Sequence, residues 1–547
     1  MTISFHLDDL RKTAAGVPLG PADKEALEAL GHPDGEAAEA ELRRLLGRVA
    51  DGAAVRLEDG MVTLTWPEAP DENTAEAERL MSRAVERARK GELSKAVGIL
   101  GRVLELDPGR HDARRNLAMA LNELGRGEEA EDALLDVLKV DPTDAEALVI
   151  LGNRYARMED RGEEARRLFE RACELEPDNP VAGNSLAGAL LEAGLDREAL
   201  EEFDRVLGID PGFANAHYGR SMVFLGREAV PEALAALRAM FAKCELSDPR
   251  LGRMLEAARD TFLKLTNIVG NDRAEEARQV AEELRKRAEE ESGVPVRVVE
   301  EKLEGTLHSS VEFAWDHGLD HHKVAIQSQL PAVMLKHHAL AHEAWHILLE
   351  SGAREADCRR LFVVTREGID AAVESMHGEI RRIVRKGNYD EGKYLAMIRE
   401  TVNNTLDRLL RLPTDMAIER QLAEVEALRE AQFCALTLQA HNAASMTLAK
   451  GKREVLPAAM LKRVDALNGA MAVFIDRLTR GATDFARLYQ STGNLPLASK
   501  LEELVRVRLD EGDAGDGLKP GAWYGLVDEV AGVLGMKGWH EWSGEGE

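Results

Sequence analysis

One pattern occurs twice in residues 162–211, GEEARRLFERACELEPDNPVAGNSLAGALLEAGLDREALEEFDRVLGIDP, and it is the strongest evidence in the sequence for the fold. In each copy a small residue lies twelve positions before a proline, and a bulky apolar residue follows the small one by four positions. Two further copies precede this stretch, so that four prolines are 34, 35 and 34 residues apart. The spacing predicts antiparallel helix pairs that approach closely at the small residues. The pattern consists of Ala96, Leu100 and Pro108; Ala130, Leu134 and Pro142; Ala165, Phe169 and Pro177; and Ala199, Phe203 and Pro211.

The pattern resembles the tetratricopeptide repeat, a family of paired helices with a period of about 34 residues. A looser fifth unit extends the similarity to Pro249, so that residues 75–249 form the predicted repeat array. The resemblance implies an α-solenoid whose concave face binds a peptide or a segment of a partner protein. The residues that match the signature of the first helix are Leu151, Gly152, Tyr155, Leu186 and Ala187.

Three asparagines lie at or next to first-helix positions that are expected to face the concave surface: Asn116, Asn153 and Asn184. A side-chain amide at such a position can hydrogen-bond an extended peptide backbone, so these residues are candidates for a peptide-binding groove. The alternative is that they are ordinary solvated polar residues, which need no partner.

The segments around the array predict a mainly α fold. Residues 1–66 are predicted to form a small α/β unit, with a helix over 36–50 and a β-hairpin in VRLEDGMVTLTW, which alternates around Asp59-Gly60. The array is followed by a helical bridge, by an α+β domain, and by a helical extension with a Trp-rich tail. These three segments are residues 250–292, 293–450 and 451–547.

Composition argues against several classes of function. The chain of 547 residues has a formal net charge of −27, so its surface as a whole repels nucleic-acid phosphates. No run of about 18 apolar residues occurs, so we expect no membrane span. The N-terminal segment MTISFHLDDLRK contains acidic residues where a signal peptide would be basic, so we expect a cytoplasmic protein. The four cysteines contain no CxxC pair and predict neither a disulfide framework nor a thiolate zinc site.

The sequence His342-Glu343-Ala344-Trp345-His346 follows the pattern H-E-x-x-H. On a helix, side chains four positions apart lie on one face, so the two imidazoles can bind one Zn²⁺ ion. Glu343 can then act as general base, taking a proton from the water that attacks a carbonyl and returning it to the leaving amine. The alternative is a helix with two partly buried histidines and no metal.

Together with the β-like runs before it, this motif resembles the zincin metallopeptidases, of the kind that uses a glutamate as third ligand. The resemblance implies a zinc cofactor, a protein substrate and an α+β zincin-like domain over residues 293–450. It also implies that a strand beside the site pairs with the extended substrate, and residues 323–329 are the candidate for this edge strand.

The resemblance places the third zinc ligand on a later helix, and PTDMAIERQLAEVEALREAQF, residues 413–433, is predicted to begin such a helix at its proline. Glu419 is the candidate ligand. Asp415, one turn earlier, is the candidate to hydrogen-bond a metal-binding histidine. Glu355 and Glu374 stay open as alternative ligands.

A tetrahedral intermediate also needs a fixed donor for its negative charge. The candidates are His441, Arg420, Tyr389 and Tyr394. The sequence therefore predicts a zinc-dependent metallopeptidase that cleaves a protein substrate or partner and is recruited or regulated through its repeats. The alternative is a non-catalytic repeat scaffold in which the histidine pair is inert or holds a structural metal.

Overall fold

The computed structural model describes residues 2–6, 42, 54–58, 61–65, 72–246, 248, 251–303, 308–511 and 519–544. The fold is mainly helical, as predicted. By the density of its internal contacts the chain divides into two compact units, residues 1–175 and 176–547. The domain boundaries that we inferred from the sequence stay predictions.

A three-stranded antiparallel sheet lies at the start of the first unit, in the order β1-β3-β2. Glu58 pairs with Met61, so the two strands of the predicted hairpin are paired antiparallel, while residues 59–60 lie outside the described residues. The helix predicted over 36–50 lies outside the described residues, except for Leu42. The strands are β1 Thr2–His6, β2 Ala54–Glu58 and β3 Met61–Thr65.

Helix pairs with the predicted period occur in both units. In the first unit they are α1 Glu72–Arg89 with α2 Leu93–Leu106, α3 His111–Glu123 with α4 Gly127–Val140, and α5 Ala145–Tyr155 with α6 Gly162–Leu175. In the second unit they are α7 Pro180–Glu192 with α8 Asp196–Ile209, and α9 Ala214–Gly226 with α10 Val230–Lys243.

The repeat pattern marks the core of each pair. Its four alanines are fully buried, and its four bulky residues are almost fully buried. Gly91 and Gly125 connect the two helices of their pairs with φ angles of 74° and 78°, a left-handed conformation that lacks a steric cost only for glycine. The predicted close approach of the paired helices is therefore confirmed.

The rest of the second unit is a helical domain that includes a three-stranded and a two-stranded sheet. Its helices are α11 Gly252–Asp272, α12 Ala274–Ser292, α13 Ala314–His317, α14 Val333–Glu355, α15 Arg366–Glu374, α16 His377–Gly387, α17 Glu391–Ala423, α18 Arg429–Leu448, α19 Lys450–Val455, α20 Ala458–Leu478, α21 Leu495–Glu511 and α22 Ala522–Leu534. Its strands are β4 Val296–Glu301, β5 Ser309–Glu312, β6 His322–Gln327, β7 Arg360–Val363 and β8 Glu541–Gly544.

Strand β6 is the centre of the three-stranded sheet and not its edge. It pairs in parallel with β4, where Val296 is opposite His322, and antiparallel with β5, where Ser309 is opposite Ile326. Since both its hydrogen-bonding sides are used, residues 323–329 cannot be the substrate-binding edge that we predicted. The strand at the edge next to α14 is β5.

Helix α17 is continuous over 33 residues and contains Pro413 in its interior. The prediction that a helix begins at this proline was therefore wrong. Pro413 has no N–H to donate to the helix, but the apolar residues on both sides of it are buried in the main core of the unit. Packing along the whole helix outweighs the loss of one backbone hydrogen bond.

The Trp-rich tail packs against the domain. Strand β8 pairs antiparallel with β7, so that Phe362 is opposite Trp542. Trp523 is fully buried in a small cluster with Ala353 and Tyr524. Within the described residues, no helix is both long enough and apolar enough to span a bilayer.

Candidate metal centre

Three histidines occupy one face of α14 at intervals of four residues: His338, His342 and His346. All three side chains are largely buried. Helix α17 packs against α14 and contributes two acids, Asp415 and Glu419, which are also four residues apart. Two helical faces with matching four-residue spacing therefore meet, and this brings five titratable side chains together.

Asp415 lies against the histidine pair of the H-E-x-x-H motif. Its Oδ1 atom is 3.2 Å from Nε2 of His346 and 3.5 Å from Nε2 of His342, and the two Nε2 atoms are 3.2 Å apart. A tetrahedral ion with bonds of about 2.0–2.1 Å separates its ligand atoms by about 3.3–3.4 Å. The three atoms thus form a triangle of the size that one face of a zinc tetrahedron requires.

Glu419 lies behind the pair. Its Oε1 accepts a hydrogen bond from Nδ1 of His342 at 2.7 Å, and its Oε2 accepts from Nε2 of His338 at 3.1 Å and from Nε2 of Gln432 at 2.8 Å. The bond at Nδ1 holds a proton there, so the lone pair of His342 is at Nε2, within the triangle.

This geometry is the reverse of the assignment that we made from the sequence. There Glu419 was the ligand and Asp415 the supporting hydrogen-bond partner. The two helices pack so that residue 415 is next to both Nε2 atoms, whereas residue 419, one turn further, contacts the outer nitrogen of His342. The alternative ligands are elsewhere: Glu355 is exposed, and Glu374 is 79% exposed and 3.8 Å from His377.

The electrostatics of the site favour a positive charge beside Asp415. Burial by itself would raise the pKa values of Asp415 and Glu419, but their histidine partners outweigh burial and lower both pKa values well below the usual range. Burial disfavours a charged His342 ring, yet the two carboxylates raise the pKa of His342 well above its usual value. A proton or a metal ion can supply the charge that these buried carboxylates need.

Glu343 is buried beside the triangle. Its side chain is 1% exposed, and Oε2 has no hydrogen-bond partner among the described residues. An unsatisfied buried carboxylate oxygen is costly, so this atom is placed to accept a hydrogen bond from a bound molecule.

Burial opposes the charge of Arg411, but Asp407, Glu343 and Asp415 raise the pKa of its guanidinium.

A cavity of about 650 Å³ opens over these residues. Arg408, Arg411 and His308 line it, and the sequence analysis selected none of them. Arg411 and Arg408 lie one and two helical turns before Asp415, so the helical period places them on the same face of α17 and could have indicated them. His308 gave no such signal, because only the packing of β5 against α14 places it here. Burial lowers the pKa of His308 to about 4, and its Nε2 has no partner among the described residues.

The donors that the sequence predicted for an anionic intermediate do not line this cavity. His441 is exposed on α18, and Arg420 forms an ion pair of 2.8 Å with Asp510. The hydroxyl group of Tyr394 donates to the backbone oxygen of Val455, and Tyr389 stacks on Tyr394. These four side chains therefore lie away from the histidine cluster, in other contacts or in solvent.

The three candidate groove asparagines differ in their surroundings. Asn116 donates a side-chain hydrogen bond to the backbone oxygen of Asp112, one turn earlier. Asn153 is exposed, and Oδ1 of Asn184 is buried without a partner among the described residues. Their contact with a bound peptide stays a prediction.

A second group of possible ligands, in the first unit, has a structural explanation. His111, Asp141 and Asp144 lie close together between two repeats. Asp144 caps α5 by accepting from the backbone N–H of Ala147 and also forms an ion pair of 2.5 Å with Arg115. We therefore interpret this group as a helix cap.

Comparison with known proteins identifies the repeats. A family model described as "Tetratricopeptide repeat" matches residues 87–149 and 156–222. The chain therefore contains tetratricopeptide repeats over these two stretches. This repeat protein is also 39% identical over 71 residues to the uncharacterized protein MJ0572 of Methanocaldococcus jannaschii, a match that covers 13% of the repeat protein and 83% of its relative. Arrays of tetratricopeptide repeats are scaffolds for protein–protein interaction, and this chain contains such an array.

Solved structures with similarity to the repeat protein include MamA, at 24% identity, with a TM-score of 0.26 and coverage of 29% of this chain and 93% of MamA. TTC0263, a thermophilic repeat protein of Thermus thermophilus, is 17% identical, with a TM-score of 0.30. The match covers 33% of this chain and 98% of TTC0263. PilF of Pseudomonas aeruginosa is 18% identical, with a TM-score of 0.30. The match covers 36% of this chain and 90% of PilF.

Proposed function

We propose that this repeat protein is a zinc-dependent metallopeptidase whose metal is held by His342, His346 and Asp415. The triangle formed by their ligand atoms, with sides of 3.2, 3.2 and 3.5 Å, carries the proposal. Two imidazole nitrogens and one carboxylate oxygen are ligands that suit Zn²⁺, and three protein ligands leave the fourth position open to a water or a substrate. A bound Zn²⁺ would polarise a substrate carbonyl and lower the pKa of a water molecule.

In this proposal Glu343 is the general base. Its unpartnered Oε2 is buried in the wall of the cavity next to His342, so it can accept a proton from the attacking water. It can then donate that proton to the nitrogen of the leaving amine. Glu419 and Gln432 act behind His342, because their hydrogen bonds hold its ring in one tautomer and orientation.

Arg411 replaces the sequence-derived candidates as the donor for the developing negative charge. It lines the cavity one helical turn from Asp415. A guanidinium stays protonated at any physiological pH and has several N–H donors in a fixed plane. His308, which is neutral near pH 7 and lines the same wall, is a second donor in the cavity.

The substrate in this proposal is a protein, recruited or regulated through the repeats. The repeats provide a surface for a partner, and the cavity provides the chemistry. The competing function is a repeat scaffold in which the histidine cluster is inert or holds a structural metal. Glu343 distinguishes the two, because a structural metal site has no need of a buried carboxylate with an unpartnered oxygen facing a cavity.

The decisive experiment measures the metal content and peptide hydrolysis of the full chain and of Glu343→Gln. We expect close to one zinc per chain in both proteins. We also expect hydrolysis of a mixed peptide library by the unchanged protein and a loss of at least about 10³-fold in the variant. Glu355→Gln, on the exposed end of the same helix, is the matched control and should retain activity.

Zinc binding without hydrolysis in the unchanged protein would favour a structural metal. The absence of any bound divalent metal would leave only the scaffold function. Equal activity of Glu343→Gln and Glu355→Gln would show that another residue is the base.

A further inference from the structure

A second cavity, of about 710 Å³, lies in the second unit on a different face of α17 and α18. Its walls come from α10, α11, α17, α18, α20 and α21. Gln432 borders this cavity and also donates to Glu419 in the histidine cluster. Neither the repeats nor the proposed hydrolysis gives this cavity a role.

The lining of the cavity has more positive than negative side chains. Among the described residues its lining has six arginines and three carboxylates, those of Glu424, Glu502 and Asp510, and neither a lysine nor a histidine. This is a marked local reversal in a chain whose formal net charge is −27. A concave site with an excess of positive charge concentrates anions. The arginines are Arg238, Arg420, Arg429, Arg477, Arg480 and Arg506.

Four of the arginines are fixed by ion pairs. Arg238 is 2.7 Å from Glu430, Arg420 is 2.8 Å from Asp510, Arg477 is 3.0 Å from Glu502 and Arg506 is 3.3 Å from Asp510. Carboxylates of the protein therefore neutralise much of their charge. These ion pairs hold the four arginine side chains in fixed positions around the cavity.

Arg429 and Arg480 differ from the other four. No carboxylate of the described residues lies within 4.0 Å of either guanidinium. Two guanidiniums without a carboxylate partner at one cavity can bind phosphate oxygens in pairs, with the fork geometry that lysine lacks.

The other part of the wall is aromatic. Phe241, Phe262, Phe433 and Phe474 line the cavity, and Phe262 meets Phe433 edge to face with ring centroids 5.0 Å apart. Phe433 is partly exposed, whereas Phe241, Phe262 and Phe474 are 4–6% exposed and add only small patches, so the wall offers apolar area to a planar ligand. The volume lies within the range of about 300–1,000 Å³ that is typical of small-molecule sites.

We propose that this cavity binds a nucleoside phosphate, with its phosphates at Arg429 and Arg480 and its base against the phenylalanines. An acidic peptide would match the charge, but an extended peptide needs a groove and has no use for an aromatic wall of this kind. The inference does not depend on zinc or on hydrolysis, because it concerns a different cavity.

The test is calorimetric titration of the full chain with ATP and with GTP, in a buffer that contains EDTA so that metal-mediated binding does not interfere. We expect at least one of the two to bind with a Kd below about 100 μM. The double variant Arg429→Gln/Arg480→Gln should weaken that binding at least tenfold. The matched control is Arg381→Gln/Arg385→Gln, which removes the same charge from the exposed face of α16 and should leave the affinity unchanged.

Further titrations identify the ligand class. Inorganic tripolyphosphate and adenosine should each bind at least tenfold more weakly than the nucleotide. The proposal is overturned if neither nucleotide binds at 1 mM, if both double variants weaken binding equally, or if tripolyphosphate binds as tightly as ATP. Binding of an oligoglutamate peptide in place of the nucleotides, with the same loss in Arg429→Gln/Arg480→Gln, would instead assign the cavity to acidic peptides.

Discussion

At the scale of single residues, Asp415 and Glu419 show how closely two similar acids can differ in role. They are one helical turn apart and both buried, and both contact His342. Asp415 is near the two Nε2 atoms that a metal would use, whereas Glu419 contacts the opposite nitrogen of the ring. The side of the imidazole that each acid contacts decides its role.

We expect Asp415→Asn to weaken zinc binding more than Glu419→Gln does. Loss of a ligand removes a metal bond and its charge, whereas loss of a supporting hydrogen bond costs about 10–100-fold in affinity. Competition of each variant with a chromophoric chelator gives the zinc Kd values. A larger loss in Glu419→Gln would support the assignment made from the sequence.

His322 predicts a dependence of stability on pH. Burial, and then the charges of Arg354 and Arg359, lower the pKa of His322 from 6.5 to about 4. The ring is thus neutral in the folded protein, while the unfolded chain begins to bind a proton below pH 6.5. Stability from this group is therefore intact above pH 6.5 and falls as the pH decreases toward 4, by about 2 kcal/mol at pH 5.

The measurement is the free energy of unfolding by urea at pH 7.5 and at pH 5. His322→Asn is the control, because its side-chain oxygen can replace Nδ1 of His322 as acceptor for the backbone N–H of Ala314. The difference between the two pH values should shrink in this variant. An unchanged difference would assign the pH dependence to other groups.

At the scale of elements, two close contacts between a helix glycine and a phenylalanine ring join neighbouring helices of the array. A Cβ atom added to Gly152 on α5 would lie 2.5 Å from the ring of Phe169 on α6. A Cβ atom added to Gly219 on α9 would lie 2.2 Å from the ring of Phe203 on α8, which belongs to the preceding helix pair. The glycines are therefore required by helix packing, although glycine disfavours a helix.

We expect Gly152→Ala to destabilise the α5–α6 pair by about 1–3 kcal/mol, because the buried ring of Phe169 has no space into which to move. Gly188→Ala on α7 is the matched control, since no atom lies within 4 Å of its added Cβ. It should stabilise its helix by up to about 1 kcal/mol. Hydrogen–deuterium exchange of the helix amides measures both effects, and equal protection in the two variants would contradict this account.

At the scale of the whole molecule, the last helix pair of the array is built into the core of the second unit. Phe241 of α10 packs edge to face on Phe262 of α11, which packs in turn on Phe433 of α18, with centroid distances of 5.2 and 5.0 Å. The array and the helical domain therefore share a hydrophobic core.

Truncations test this connection. We expect a fragment of residues 176–547 to fold, because it is a compact unit by itself, and to show the hydrolysis of short peptides that we propose for the full chain. A fragment that starts at residue 250 exposes Phe262 and should aggregate or unfold at a lower temperature. Size-exclusion chromatography and thermal melting compare the two, and equal stability would show that α10 is dispensable.

The features that depend on spacing along the chain could be predicted from the sequence alone. These are the helix pairs, their buried alanines and bulky residues, the antiparallel strands on either side of residues 59–60, and two motif histidines on one helical face. Each follows from a local period, since a helix repeats every 3.6 residues and the array about every 34.

Which distant residues meet depends on tertiary packing. The relative position of α14 and α17 selects Asp415 over Glu419 as neighbour of the Nε2 pair, and 69 residues of chain separate Asp415 from His346. The pairing of β6 on both sides and the burial around Pro413 likewise overrode local signals. Such contacts depend on how elements pack, and packing follows from the shapes of whole surfaces rather than from any period in the sequence.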